Sequence, residues 1–193
     1  MKIFLTSDGW KSNKKIKEKF LKTLKEVKDK NVILITIAKK NSEEWKHVKY
    51  HVNELRKIGI KKENIKIISL KERKVKWPKK IDVVYVCGGT FHYMKELRRL
   101  KLTRKIKELA KKEIIYFGIS AGSIIAGKRI DIAKIGKCKD VNDVKIKNYS
   151  GLKLVNFIIF PHYTKEDEKE IRKFEKEKKC KVIRLRDGDF VIV

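Results

Sequence analysis

Apolar residues along the chain alternate between two patterns: short continuous runs, and longer stretches where they recur every three or four positions. Residues 3–6, 65–70, 83–86 and 114–117 are short runs rich in β-branched and aromatic side chains and read as strands. Residues 32–38 are apolar almost throughout, as expected of a strand buried on both faces. Ile16, Phe20, Leu24 and Val27 form one helical stripe; Trp45, Val48, Val52, Leu55 and Ile58 form a second that stops at Gly59. Met94, Leu97 and Leu100, then Ile106 and Leu109, predict further helices. Beyond them, 155–160 reads as a strand and 165–178 as a charged helix, with two last strands at 182–185 and 190–193 around Asp187 and Gly188. Residues 128–150 are the least regular and read as a surface excursion.

Repeated strand–helix–strand order predicts an α/β three-layer sandwich, with a mostly parallel central sheet and helices on both faces. No linker or repeat interrupts it, so one domain over 1–193 is expected. In such sheets sites form beyond the carboxyl ends of the strands. The positions to inspect are therefore those just after 86, 117 and 160, and the loop at 187.

Composition narrows the class. With 41% hydrophobic residues, ten glycines and two prolines, collagen-like and disordered readings fall away. The 52 Lys+Arg against 24 Asp+Glu give a net charge of +28, which raises nucleic acid or an anionic membrane as a partner. The excess is spread, however: 11–30 hold nine Lys and three acids, and 61–80 hold nine Lys/Arg and two. Lysines placed between apolar residues at helical spacing describe solvated helix faces, so no specific nucleic-acid partner is expected. No apolar run suits a signal peptide or a bilayer span, so no membrane partner is expected either. Cys87, Cys138 and Cys180 make no metal-ligand spacing and no disulfide framework. A reduced, cytoplasmic protein without metal or other cofactor is the expectation.

Gly118-Ile119-Ser120-Ala121-Gly122 follows a predicted strand and leads into a stretch that can start a helix. Gly-x-Ser-x-Gly at a strand-to-helix turn is a nucleophile elbow: the glycines allow a sharp turn and close backbone approach, and the serine is lifted clear of the sheet. The N–H of the next residue, Ala121, can face an oxyanion. A serine nucleophile needs a base. His47 and His51, four apart with no third ligand in view, read as helix-surface histidines. His92 follows Gly88-Gly89-Thr90-Phe91 and is a candidate to line the pocket. His162, in Phe160-Pro161-His162-Tyr163, follows a strand at the right edge and is favoured as base. The orienting acid is Asp187 or Asp189, both in a turn before the last strand. Gly88 and Gly89 can supply the other oxyanion N–H.

With these pieces in order, the chain resembles the aspartyl dipeptidase (peptidase E) family of serine peptidases, relatives of cyanophycinase. The resemblance runs from Phe4-Leu5-Thr6-Ser7-Asp8-Gly9 through Val84-Tyr85-Val86-Cys87-Gly88-Gly89, the elbow, and Gly151-Leu152-Lys153-Leu154 to Pro161-His162-Tyr163. It implies a class I glutamine-amidotransferase-like sandwich, with Ser120 as nucleophile, His162 as base, and Gly88, Gly89 and Ala121 around the oxyanion. It also favours Asp187 over Asp189. The elbow of true amidotransferases carries Cys, whereas here it is Ser120 and Cys87 lies in another turn. Two departures stand out. The family's Gly-Gly-Asn-Thr-Phe is Gly88-Gly89-Thr90-Phe91 here, and the family's substrate-binding Arg aligns with Asp167, with Arg172 further on. Thr90, His92 and Arg172 are the substrate-binding candidates. The resemblance thus implies a hydrolase of small peptides, and a monomer or homodimer is expected. The rival reading is a member without peptidase activity that binds nucleic acid or acidic ligands through its charge.

Overall fold

Six strands form the central sheet of the computed structural model, which describes residues 1–37, 42–71 and 75–193. They are β1 (Lys2–Thr6), β2 (Val32–Thr36), β3 (Ile65–Ser69), β4 (Val83–Val86), β5 (Ile115–Ile119) and the last strand, Phe190–Ile192, in the order β3-β2-β4-β5-β1-last. The first five are mutually parallel; the last runs antiparallel to β1, with Val191 opposite Leu5. The predicted strand at 32–38 is present, though its final residue, Ala38, lies outside the described residues. A separate parallel pair joins β6 (Ile158–Phe160) to β7 (Val182–Arg184), and the last strand is thus β8. The two terminal strands exist as predicted but belong to different sheets, so the Asp187 turn bridges two layers.

Period-two alternation sorts the side chains. Phe4, Leu34, Tyr85 and Phe117 face α1 (Lys14–Leu24) and α2 (Glu44–Lys57), where they pack with Phe20, Leu24, Val48 and Leu55. Leu5, Ile33, Val84 and Tyr116 face the other way, towards α3 (Thr90–Arg99), α4 (Leu102–Ala110) and α5 (Ala121–Ala126). The β6–β7 pair and α6 (Glu168–Lys178) close that second side, burying Ile171 and Phe174. A parallel sheet covered on both faces explains why β2 and β5 are buried along their whole length.

The structure departs from the sequence pattern at several points; the strand expected at 155–160, for one, begins only at Ile158. The first helix ends at Leu24 because Lys25 takes φ 61°, so Val27 of the predicted stripe lies beyond it. The strand predicted at 114–117 continues through Gly118 to Ile119, which puts Ser120 directly at its carboxyl end. Residues 128–150 are not merely a surface excursion. Ile130, Ile132, Ala133 and Ile146 are buried, and a short 3-10 turn at Asp131–Lys134 anchors the segment as one wall of a cleft.

Candidate active site

Ser120 occupies the turn between β5 and α5 with φ 50° and ψ −113°, a conformation side chains rarely adopt. Local anchors hold it there. Its N–H donates to the Thr6 carbonyl (3.0 Å), and its own carbonyl accepts from Ser123 N–H (2.8 Å) and Ile124 N–H (3.1 Å). Buried Ser123 ties the elbow to β1: its one hydroxyl proton is shared between the carbonyl oxygens of Thr6 (2.8 Å) and Gly118 (2.9 Å), and its oxygen accepts from Thr6 N–H (2.9 Å). The elbow glycines are there for space. A Cβ on Gly122 would meet the Val86 carbonyl oxygen at 2.2 Å, and one on Gly118 the Gly122 oxygen at 2.7 Å.

Three predicted residues come together in line. His162 Nε2 is 2.9 Å from Ser120 Oγ, and His162 Nδ1 is 2.7 Å from Asp187 Oδ1. Asp189 does not join them; its carboxylate accepts from Arg186 N–H at 2.9 Å and closes the turn. A residue the sequence reading passed over, Ser7, organises the group. Its hydroxyl donates to Asp187 Oδ1 (2.7 Å) and accepts from the backbone N–H of His162 (2.8 Å), itself at φ 55°. Partial burial pushes the Asp187 carboxyl up, but the hydrogen bonds from Ser7 and His162 outweigh it and hold the group below the usual carboxylate range. The available signal was that Ser7 follows β1, whose carboxyl end is as much a site edge as those of β4 and β5.

A cleft of about 670 Å³ opens over Ser120 and His162. Gly88, Gly89, Thr90 and Ala121 line it as expected. Among the described residues none accepts a hydrogen bond from the backbone N–H of Gly88, Gly89 or Ala121. The Thr90 N–H donates to Asp140 Oδ2 at 2.7 Å, so a carboxylate from the 128–150 segment sits beside Gly89. Burial pushes the Cys87 thiol on this wall up to about 12, which leaves it a poor nucleophile at neutral pH.

Two substrate-binding candidates are not brought to the cleft. His92 turns outward from the first turn of α3 to Asp143, with Nε2 3.0 Å from its carboxylate. Arg172 lies on the exposed side of α6, 2.7 Å from Glu168. Conversely, His47, Tyr50 and His51 of α2 do line the cleft, together with Lys11 and Lys139. His51 is not a surface residue: it is 4% exposed. Its spacing from Val48 and Leu55 placed it on the buried stripe, and its polarity obscured that. Among the described residues no group of three or more side chains is arranged to hold a metal ion, and no helix is long and apolar enough to cross a membrane.

A three-layer parallel sandwich with a serine raised at the carboxyl edge of its sheet, over a cleft with free backbone donors, belongs to the class of α/β hydrolytic enzymes. Comparison with known proteins narrows the class. The family model of peptidase family S51 matches residues 3–193. An uncharacterized peptidase of Listeria monocytogenes is 32% identical over 173 residues, covering 88% of this chain and 81% of that protein. Another, from Pasteurella multocida, is 29% identical over 170 residues (84% and 77%). Peptidase E of Shewanella amazonensis is 37% identical over 84 residues (43% and 34%). The fold matches the crystal structure of a candidate peptidase E protein from Listeria monocytogenes with a TM-score of 0.75 and 23% identity, over 100% of this chain and 93% of that one. The chain belongs to peptidase family S51, the peptidase E family, and is a peptidase.

Proposed function

We propose that the protein is a serine peptidase that cleaves small peptides through Ser120, His162 and Asp187, by way of an acyl-enzyme. The observation that carries this reading is the line of hydrogen bonds from Ser120 Oγ to His162 Nε2 (2.9 Å) and from His162 Nδ1 to Asp187 (2.7 Å). His162 Nε2 takes the Ser120 proton as Oγ adds to the peptide carbonyl carbon. The imidazolium is held by Asp187, which keeps the Nδ1 proton directed away from the serine. Negative charge on the former carbonyl oxygen is met by the N–H groups of Ala121 and Gly89, with Gly88 shaping the approach. Collapse breaks the C–N bond, and the leaving amine takes the proton from Nε2. Water, deprotonated by the same nitrogen, then releases the acyl group from Ser120.

Two features support a small substrate with a free amino terminus. The cleft is closed on one side by the 128–150 segment. The Asp140 carboxylate beside Gly89 is also where an α-ammonium group next to the scissile carbonyl would be welcome. Thr90, whose side chain is buried and whose N–H holds Asp140, acts through that carboxylate.

Ser120→Ala should lower kcat for dipeptide hydrolysis by about 10⁴-fold or more while leaving the melting temperature unchanged. Hydrolysis assays beside thermal denaturation test it, and undiminished turnover by a folded variant refutes the assignment.

A further inference from the structure

Tyr93 lies in the first turn of α3, fully buried, and the hydrolytic steps do not touch it. Packing in the core accounts for its ring but not for its hydroxyl, whose desolvation is costly unless it is paired. Burial pushes the phenol far above its ordinary value, so it keeps its proton and remains a donor. That one proton is shared between two backbone carbonyls, that of Ile35 near the end of β2 and that of Cys87 just beyond β4. A hydroxyl so placed acts on the backbone, and the backbone it acts on leads into Gly88-Gly89.

Two glycines in succession have no side chains to fix a turn. Glycine takes positive and negative φ about equally well, so the chain by itself does not choose which way the Cys87–Gly88 peptide faces. Here Gly88 is at φ 117°, and Tyr93 holds it from three directions. The hydroxyl holds the Cys87 carbonyl, on the near side of the turn. The Tyr93 N–H donates to the Gly89 carbonyl at 3.4 Å, on the far side. The ring fills the space between: a Cβ on Gly88 would lie 3.0 Å from Tyr93 Cε2. In a trans peptide the C=O and the next N–H point opposite ways. With the Cys87 carbonyl turned to Tyr93, the Gly88 N–H is directed away from it, and the Gly89 N–H follows in a fixed sense. Both N–H groups lack an acceptor among the described residues. Turning the Cys87–Gly88 peptide over would reverse the first and re-aim the second.

We propose that Tyr93 is a positioning residue of the active site: its hydroxyl locks the Cys87–Gly88 peptide, so that the Gly88-Gly89 turn keeps its N–H groups aimed for an oxyanion. Donors held in place before the reaction begins cost no reorganisation when the charge develops. The proposal rests on the hydrolase reading for the use of those donors, and on the backbone geometry alone for the lock.

The test removes one oxygen. Tyr93→Phe keeps the ring against Gly88, and its melting curve and amide spectrum report whether it is folded. One readout needs no turnover. Nitrogen relaxation dispersion at the Gly88 and Gly89 amides should be flat in the wild type and should show microsecond-to-millisecond exchange in the variant, as the freed peptide samples both faces. In the wild type the Tyr93 hydroxyl proton should itself exchange slowly with solvent. The other readout is catalytic, on whichever of Ala-Ala, Asp-Ala and Lys-Ala the wild type hydrolyses. Tyr93→Phe should lower kcat by about tenfold to a hundredfold, somewhat less than deleting an oxyanion donor, with KM within about twofold. Calorimetry with the same dipeptide should give equal affinities for Ser120→Ala with and without Tyr93→Phe. A merely structural hydroxyl would disturb ground-state binding and kcat together, or neither. Flat dispersion in the folded variant, kcat within about twofold of wild type, or a freely exchanging hydroxyl proton in the wild type overturns the lock. The last of these decides the matter if the variant does not fold. A freed peptide in the variant, with no hydrolysis by the wild type, keeps the lock and sinks the hydrolase reading. Hydrolysis that the variant leaves unchanged does the opposite.

Discussion

Ser7 shows how one small side chain can set the electrostatics of a neighbouring group. Its hydroxyl is shared between the His162 backbone and the Asp187 carboxylate, so it fixes the distance between those two residues as well as stabilising the carboxylate's charge. Ser7→Ala should therefore lower kcat/KM by about tenfold to a hundredfold, the range for losing a hydrogen bond to a charged group. It should also act on pH. The folded Asp187 carboxyl lies below its ordinary value, so the stabilisation it provides is complete above the unfolded pKa and is lost as pH falls through the folded one. Without the Ser7 donor the folded pKa rises, and the acid limbs of activity and stability both move towards neutral pH. Carboxyl NMR titration of wild type and variant checks the direction. An Asp187 titration that does not move, with kcat/KM intact, would reduce Ser7 to a packing residue.

At the scale of elements, the elbow is a three-way contact among β4, β5 and α5. The hydrogen on Gly122 is all that fits against the Val86 carbonyl oxygen; a methyl group there would sit at 2.2 Å. Gly122→Ala must push α5 away from β4 or twist the turn, and Ser120 moves with it. A loss of about 3 kcal/mol or more in unfolding free energy is expected, measured by urea denaturation, with activity lost in any fraction that folds. A variant of wild-type stability would mean that the two elements are not in contact. The same elements show what can be read from sequence. Strands buried on both faces, such as β2 and β5, announce themselves by unbroken apolar runs, and the elbow announces itself by glycine spacing between a strand and a helix. His51 was harder: its position in the stripe says core, its chemistry says surface, and the phenol that resolves the conflict lies 34 residues away on β4. His92 and Arg172 failed for the complementary reason. Proximity in sequence to a motif does not fix which side of a helix a residue occupies, and each found a carboxylate on the outer side.

Over the whole molecule, the +28 charge and the cleft follow different rules. Among the described residues, the charged side chains lining the cleft are Lys11 and Lys139 against Asp8 and Asp140, two of each sign. α1 carries part of the cationic excess: Ile16, Phe20 and Leu24 are buried while Lys14, Lys15, Lys19 and Lys22 of the same helix face outward or flank the stripe. A diffuse excess of this kind attracts polyanions without reading them. Its reach is limited to about 8 Å at physiological ionic strength. Single-stranded RNA and DNA oligonucleotides of unrelated sequence should therefore bind with equal affinity at about 50 mM salt. Binding should weaken steeply and in parallel as salt rises, and should be gone by about 200 mM. Fluorescence anisotropy titrations across that range measure it. Because the described residues lining the cleft carry no net surplus, an oligonucleotide bound at low salt should leave the hydrolysis of a neutral peptide amide unchanged. One sequence that stays bound at 200 mM, or that competes with peptide for the cleft, would instead make nucleic acid a specific ligand and return the charge to the centre of the function.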